Sequence, residues 1–238
     1  MTAPKISGKT DLTIKGVTYT LKQLRDGALK GANLDHTDFS GMNLSAITLR
    51  GASLIDCNFD GCDLQEVDFS DAVLEHATLN YAKCCQASFE GANLTDTSLE
   101  YANLFEANLL SANFKRASLN GAILEKSWIK DTNFDCAWMI GVDLSKAALD
   151  YDDIEGNRVT DIMSVEYVNF TEANLSGLNF SGSDLSGLLM KNCDMSHCNL
   201  TGTNFKDSDL TNAIFNGANM TGANLTNAKT LGAGGLAD

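Results

Sequence analysis

Every fifth residue of this chain is apolar. From Leu34 to Ile154 the positions spaced five apart number 25, and all are apolar if Cys84 is counted; 21 of them are Leu or Phe. A second run from Phe170 to Leu225 has 12 such positions, all apolar and nine of them Leu or Phe. The whole chain is only 44% hydrophobic, so composition does not produce this regularity. A period of five matches neither the 3.6 of a helix nor the 2 of an extended strand. It requires a backbone that turns a corner once per repeat, and a repeat takes precedence over local propensity in assigning a fold.

The remaining positions agree with that reading. Two residues before most centres stands a small side chain, as in Ala52, Cys57, Cys62, Val67, Ala72 and Ala77. Large and small residues two apart share one side of an extended segment. Asn, Asp, Ser or Thr precedes most centres, and Gly, Asn or Asp is frequent two after, where a corner needs positive φ. Four sides of five residues close a coil of 20. Phe39 and Phe59, Phe69 and Phe89, and Phe114 and Phe134 are each 20 apart, so in such a coil each pair stacks. The expected architecture is all-β, a quadrilateral β-helix with its backbone paired between coils and no lateral edge. The single proline, Pro4, fits a chain that is one continuous element.

Segments such as Ala92-Asn93-Leu94-Thr95-Asp96, Ala102-Asn103-Leu104 and Ala223-Asn224-Leu225 resemble the A(D/N)LXX pattern of the pentapeptide-repeat family. The resemblance implies a right-handed quadrilateral β-helix and says little about activity. The organisation expected is a small N-terminal cap over 1–27, a solenoid over 28–229 and a flexible tail over 230–238. In the cap, Asp11–Ile14 and Val17–Thr20 read as a hairpin around Lys15-Gly16, followed by a short helix stopped by Gly27. The centres change phase by one residue after Val159, which places a one-residue insertion within 160–164. It reads as a corner bulge with the solenoid continuing past it, or as a loop that a partner recognises. Asp152 falls at an inward position, which opens the coil there or turns the side chain out.

The chain carries 17 Lys and Arg against 31 Asp and Glu, for a net charge of −14. Direct binding of nucleic acid or of acidic membranes is not expected. No apolar run has membrane-spanning length, and no signal-peptide core precedes the cap, so the expected location is cytoplasmic, with a virion or other particle component as one form of assembly. No catalytic, cofactor or metal site is expected: the chain lacks a nucleophile elbow, HExxH and a phosphate loop. Cys57, Cys62, Cys84, Cys193 and Cys198 fall at inward positions and read as small hydrophobes. His197 faces out while Cys193 and Cys198 face in, so they share no metal. His36, Asp56 and His76 form one outward column at 20-residue spacing.

Two outer features remain as candidate sites. Phe105, Leu110, Ile123, Trp128, Trp138 and Ile140 occupy positions that face water and read as an apolar contact cluster. Asp35, Asp56, Glu75, Asp96, Asp135, Asp152, Asp153 and Glu155 line one side as an acidic column. The leading expectation is a non-enzymatic structural scaffold, a rigid rod that docks protein partners, self-associates or joins a larger assembly. The alternative comes from the family resemblance, whose quinolone-resistance branch mimics DNA and binds DNA gyrase. A rod of nine to ten coils is roughly 45 Å long, and B-DNA of that length carries about 27 phosphates. The spread of charge over all four sides and the Gly-rich C-terminus count against this alternative.

Overall fold

The computed structural model describes residues 5–7, 11–14, 16–140, 142 and 169–236. Three strands, β1 (Lys5–Ser7), β2 (Asp11–Ile14) and β3 (Val17–Thr20), form an antiparallel sheet in that order. The β2–β3 register runs from Asp11↔Thr20 to Ile14↔Val17. The pairing of β1 with β2 is an addition to the hairpin read from the sequence. A short helix, α1 (Leu21–Arg25), starts at Thr20, whose hydroxyl accepts from the Gln23 amide while the Gln23 side chain accepts from the Thr20 amide. This reciprocal pair satisfies two amides that a helix start leaves bare. Ile14 and Leu24 are buried against the first coil, and the Leu24 carbonyl accepts from Thr48 N at 3.4 Å.

From residue 31 the backbone makes one parallel bridge every five residues, each to a residue 20 further on: Asn33↔Ser53, Asp38↔Asn58, Asn43↔Asp63, Thr48↔Asp68. Each turn of chain therefore has four rungs, which stack into four ladders. Each bridge has two bonds, as at Ser53↔Val73, where Leu54 N donates to Val73 O at 2.8 Å and Val73 N to Ala52 O at 2.9 Å. The corner is closed by Cys57 N donating to Leu54 O at 3.2 Å, and its residue, Asp56, has φ 55°. All centres from Leu29 to Met139 are buried, as are Phe170 to Phe215. The aromatic pairs stack: Phe39–Phe59 at 4.9 Å, Phe69–Phe89 at 5.0 Å and Phe114–Phe134 at 5.3 Å between ring centroids. Small polar residues at inward positions donate to a main-chain carbonyl, of the coil below for Thr97 Oγ1 to Leu74 O at 2.8 Å and of their own coil for Ser127 Oγ to Leu124 O at 2.8 Å, so their burial leaves nothing unpaired among the described residues.

Two boundaries differ from the sequence reading. Residues 160–164, where a one-residue insertion was expected, lie outside the described residues, as does Asp152. On either side, however, Asn133 pairs with Asn169 and Trp138 with Asn174, a spacing of 36 rather than 20. The excess is 16 residues, three whole repeats and one residue more, so the one-residue phase change is only the remainder of a longer excess. At the other end the ladder continues past 229 into the expected tail. Ile214 bridges Gly234, and Phe215 N donates to Gly234 O at 2.7 Å. Main-chain pairing needs no side chain, so a Gly-rich sequence does not end it. No helix of the described residues is long and apolar enough to cross a membrane.

Candidate protein-interaction surfaces

The first ladder runs Asn33, Ser53, Val73, Asn93, Asn113, Asn133, Asn169, Leu189, Asp209, Lys229. Its side carries the acidic column, and each described member has a partner. Asp35 accepts from Ser53 Oγ at 2.6 Å, Ile55 N at 3.0 Å and Asn33 Nδ2 at 2.9 Å. Desolvation raises its pKa, but those bonds outweigh it and hold the carboxyl below its ordinary value. Glu75 accepts from Asn93 Nδ2 at 2.6 Å. Asp56 lies 3.4 Å from His36 Nδ1. Arg116 grips Asp96 through Nε at 2.7 Å and Nη2 at 2.6 Å, and that bond lowers the Asp96 pKa. Lys115 sits 2.6 Å from Asp135. Asp152, Asp153 and Glu155 lie outside the described residues. The described column is thus cross-linked by its own donors and cations, not a bare anionic strip.

The six apolar candidates do not form one cluster. Trp128 stands on the fourth ladder, paired with Asn108, and Trp138 on the second, between Ser118 and Asn174. They are ten residues apart, hence two corners apart, and occupy opposite sides of a four-rung coil. Phe105 and Leu110 are half-buried, and the Phe105 ring lies 4.9 Å beneath Lys126 Nζ. Ile123, on the third ladder, and Ile140 are exposed.

Two residues missed in the sequence complete a different patch. Tyr81 and Tyr101 occupy successive corners between the second and third ladders, with rings stacked at 5.2 Å and 11° between planes. They are 65% and 56% exposed, more than any of the six expected candidates. The Tyr101 ring lies against Gly121, where an added Cβ would fall 2.6 Å from it. Gly121 N in turn donates to Ile140 O at 2.8 Å. Tyr81, Tyr101 and Gly121 thus stack on one corner, with exposed Trp138 and Ile140 on its second-ladder side and exposed Ile123 on its third-ladder side. The signal was present: the same aromatic recurs 20 residues apart at an outward position.

Cys193 and Cys198 are buried, and Cys198 Sγ donates to Leu175 O at 3.1 Å, whereas His197 is exposed. Among the described residues no three His, Cys, Asp or Glu side chains converge as metal ligands. Cys136 has its thiol pushed up to about 11 by desolvation and by Glu172 and Asp135, which disfavours a reactive thiolate.

The pentapeptide-repeat family model matches residues 28–65, 68–104, 97–135, 107–145, 166–187 and 189–227, in eight copies. The chain belongs to the pentapeptide-repeat family. Solved structures of other members are similar over most of its length, and such neighbours imply a right-handed β-helix type fold. Full-length QnrB1, a plasmid-mediated fluoroquinolone resistance protein, is 19% identical with a TM-score of 0.56, over 87% of each chain. HetL, a pentapeptide-repeat protein involved in heterocyst differentiation regulation from the cyanobacterium Nostoc sp. strain PCC 7120, is 24% identical with a TM-score of 0.41. That match covers 90% of this chain and 94% of HetL. No curated protein matches the chain.

Proposed function

We propose that this pentapeptide-repeat protein is a non-enzymatic scaffold, a quadrilateral rod that docks a protein partner on the corner between its second and third ladders. The supporting observation is the exposed surface around Gly121, made of Tyr81, Tyr101, Ile123, Trp138 and Ile140. Outward positions elsewhere in the repeat are mostly Asn, Asp, Ser or Thr, which interact well with water. Covering one such aromatic contributes about 1.5–3 kcal/mol, and aromatic anchors dominate interface energies. The test compares the parent with a Tyr101→Ser, Trp138→Ser variant, by sedimentation of the protein alone and by affinity capture from the native source. Loss of an association that the parent makes supports docking at this corner; unchanged mass and an unchanged set of captured proteins overturns it.

A second reading, a DNA-mimicking inhibitor or protector of DNA gyrase, draws on the net charge of −14 and the fold-level likeness to QnrB1. The Arg116 and Lys115 pairs on the acidic side weigh against it, because they neutralise the carboxylates that would imitate phosphates. A gyrase supercoiling assay decides it: inhibition that weakens with added salt favours mimicry, and no effect at micromolar protein removes it.

A further inference from the structure

The chain has two Asn-Gly pairs, Asn120-Gly121 and Asn216-Gly217, at equivalent corners after the second ladder. Both glycines have positive φ, 67° and 71°. Both are covered by the corner side chain of the preceding coil, but by different chemistry. Tyr101 lies over Gly121. His197 lies over Gly217, where a Cβ would fall 2.6 Å from the imidazole Nδ1 and 2.9 Å from Cε1. The hydrogen bonding differs as well. At the first pair Gly121 N donates to Ile140 O at 2.8 Å, and the Asn120 carboxamide accepts from Ile140 N at 3.0 Å and donates to Ser118 Oγ at 3.3 Å. At the second pair, neither Gly217 N nor the Asn216 carboxamide has a partner among the described residues, and both residues are exposed.

We propose that Asn216-Gly217 is a self-modifying site, at which the backbone converts Asn216 to an aspartyl or isoaspartyl residue with the His197 imidazole as general base. Gly217 N attacks Asn216 Cγ; glycine has no side chain to obstruct the approach. The new N–Cγ bond closes a five-membered succinimide. The imidazole takes the Gly217 amide proton and returns it to the departing Nδ2, so the Cγ–Nδ2 bond breaks and ammonia leaves. Water then adds to either ring carbonyl and opens it. No oxidant or reductant is needed. The product adds one negative charge, and its isoaspartyl form lengthens the main chain by one atom directly after Phe215, whose amide holds Gly234 O at 2.7 Å. The modification therefore loosens the pairing of Phe215 with Gly234 as the protein ages.

The test incubates the purified full chain at neutral pH and body temperature, with peptide mapping by mass spectrometry over time. Asn120 is the internal control, because its neighbourhood must lose three hydrogen bonds before the same attack, each worth roughly a factor of five. Conversion at Asn216 at least about tenfold faster than at Asn120 is expected. Equal rates overturn the proposal. His197→Phe, which keeps a planar cover, and His197→Asn, which suits the positive φ of 60° at this corner, should both slow Asn216 while circular dichroism stays unchanged. Parent-like conversion in both variants overturns the role assigned to His197.

Discussion

Phe134 and Phe170 stack with ring centroids 5.5 Å apart and planes 6° apart, although 36 residues separate them in the chain. Among the described residues the other stacked phenylalanine pairs of the core are each 20 apart. The hydrophobic column is therefore unbroken where the spacing is not. Phe134 N reaches Asn169 O at 2.9 Å, and Asn174 N reaches Ala137 O at 3.0 Å, as between any two successive coils.

That continuity predicts that the excess is dispensable. Removing residues 150–165 restores a 20-residue spacing between Phe134 and Phe170. The length of chain joining two paired coils affects stability only weakly, so the shortened chain should unfold within about 1 kcal/mol of the parent. Chemical denaturation of the two proteins measures this, and failure of the shortened chain to fold would show that the segment holds the coils together.

The inward and outward positions of one rung should respond in opposite ways. Phe89 is fully buried and stacked on Phe69 at 5.0 Å. Phe89→Ala should cost about 3–5 kcal/mol. The neighbouring Glu90 faces out and accepts from Asn108 Nδ2 at 3.2 Å; Glu90→Ala should cost less than about 0.5 kcal/mol. Comparable losses in denaturant titrations would contradict the register.

Gly61 and Gly121 provide a matched pair. Their φ values are 65° and 67°, yet a Cβ at Gly61 meets nothing within 4 Å, whereas one at Gly121 falls 2.6 Å from the Tyr101 ring. Gly61→Ala should cost only the left-handed backbone penalty, about 1–2 kcal/mol. Gly121→Ala should cost measurably more and displace Tyr101 from Tyr81, which near-ultraviolet circular dichroism of the tyrosines would register.

Asp209 predicts an acid limb to stability. Desolvation raises its pKa, but the Thr211 hydroxyl at 2.7 Å, the Thr211 amide and the Lys191 ammonium at 3.4 Å together bring it down to about 2. A depressed folded-state value contributes stability above the ordinary 3.8, and that contribution is lost as pH falls toward about 2. Unfolding free energy should fall across that window, and less steeply in Asp209→Asn. The variant should also be weaker at neutral pH, where it loses its pairing with Lys191 and Lys229.

The repeat alone determined which side chains point into the core. Leu or Phe at each centre, a small residue two before it and a turn-tolerant residue two after leave one economical path for the backbone. The stacking of Phe39 on Phe59 follows from their separation. A periodic signal, however, reports position only modulo its period. It registers the 16-residue excess before Asn169 as a shift of one, because 16 and 1 are the same phase in a repeat of five, and only the pairing of Asn133 with Asn169 distinguishes them. The surface was less legible for a related reason. Trp128 and Trp138 are close in sequence, but each repeat turns a corner, and ten residues carry the chain to the opposite side. Outward neighbours in a solenoid are about one coil apart, not one repeat apart. That is why Tyr81 and Tyr101 stack, why Arg116 reaches Asp96, and why His197 covers Gly217. Composition placed acid on the first side, while the tertiary structure decided which carboxylates carry their own counter-charge.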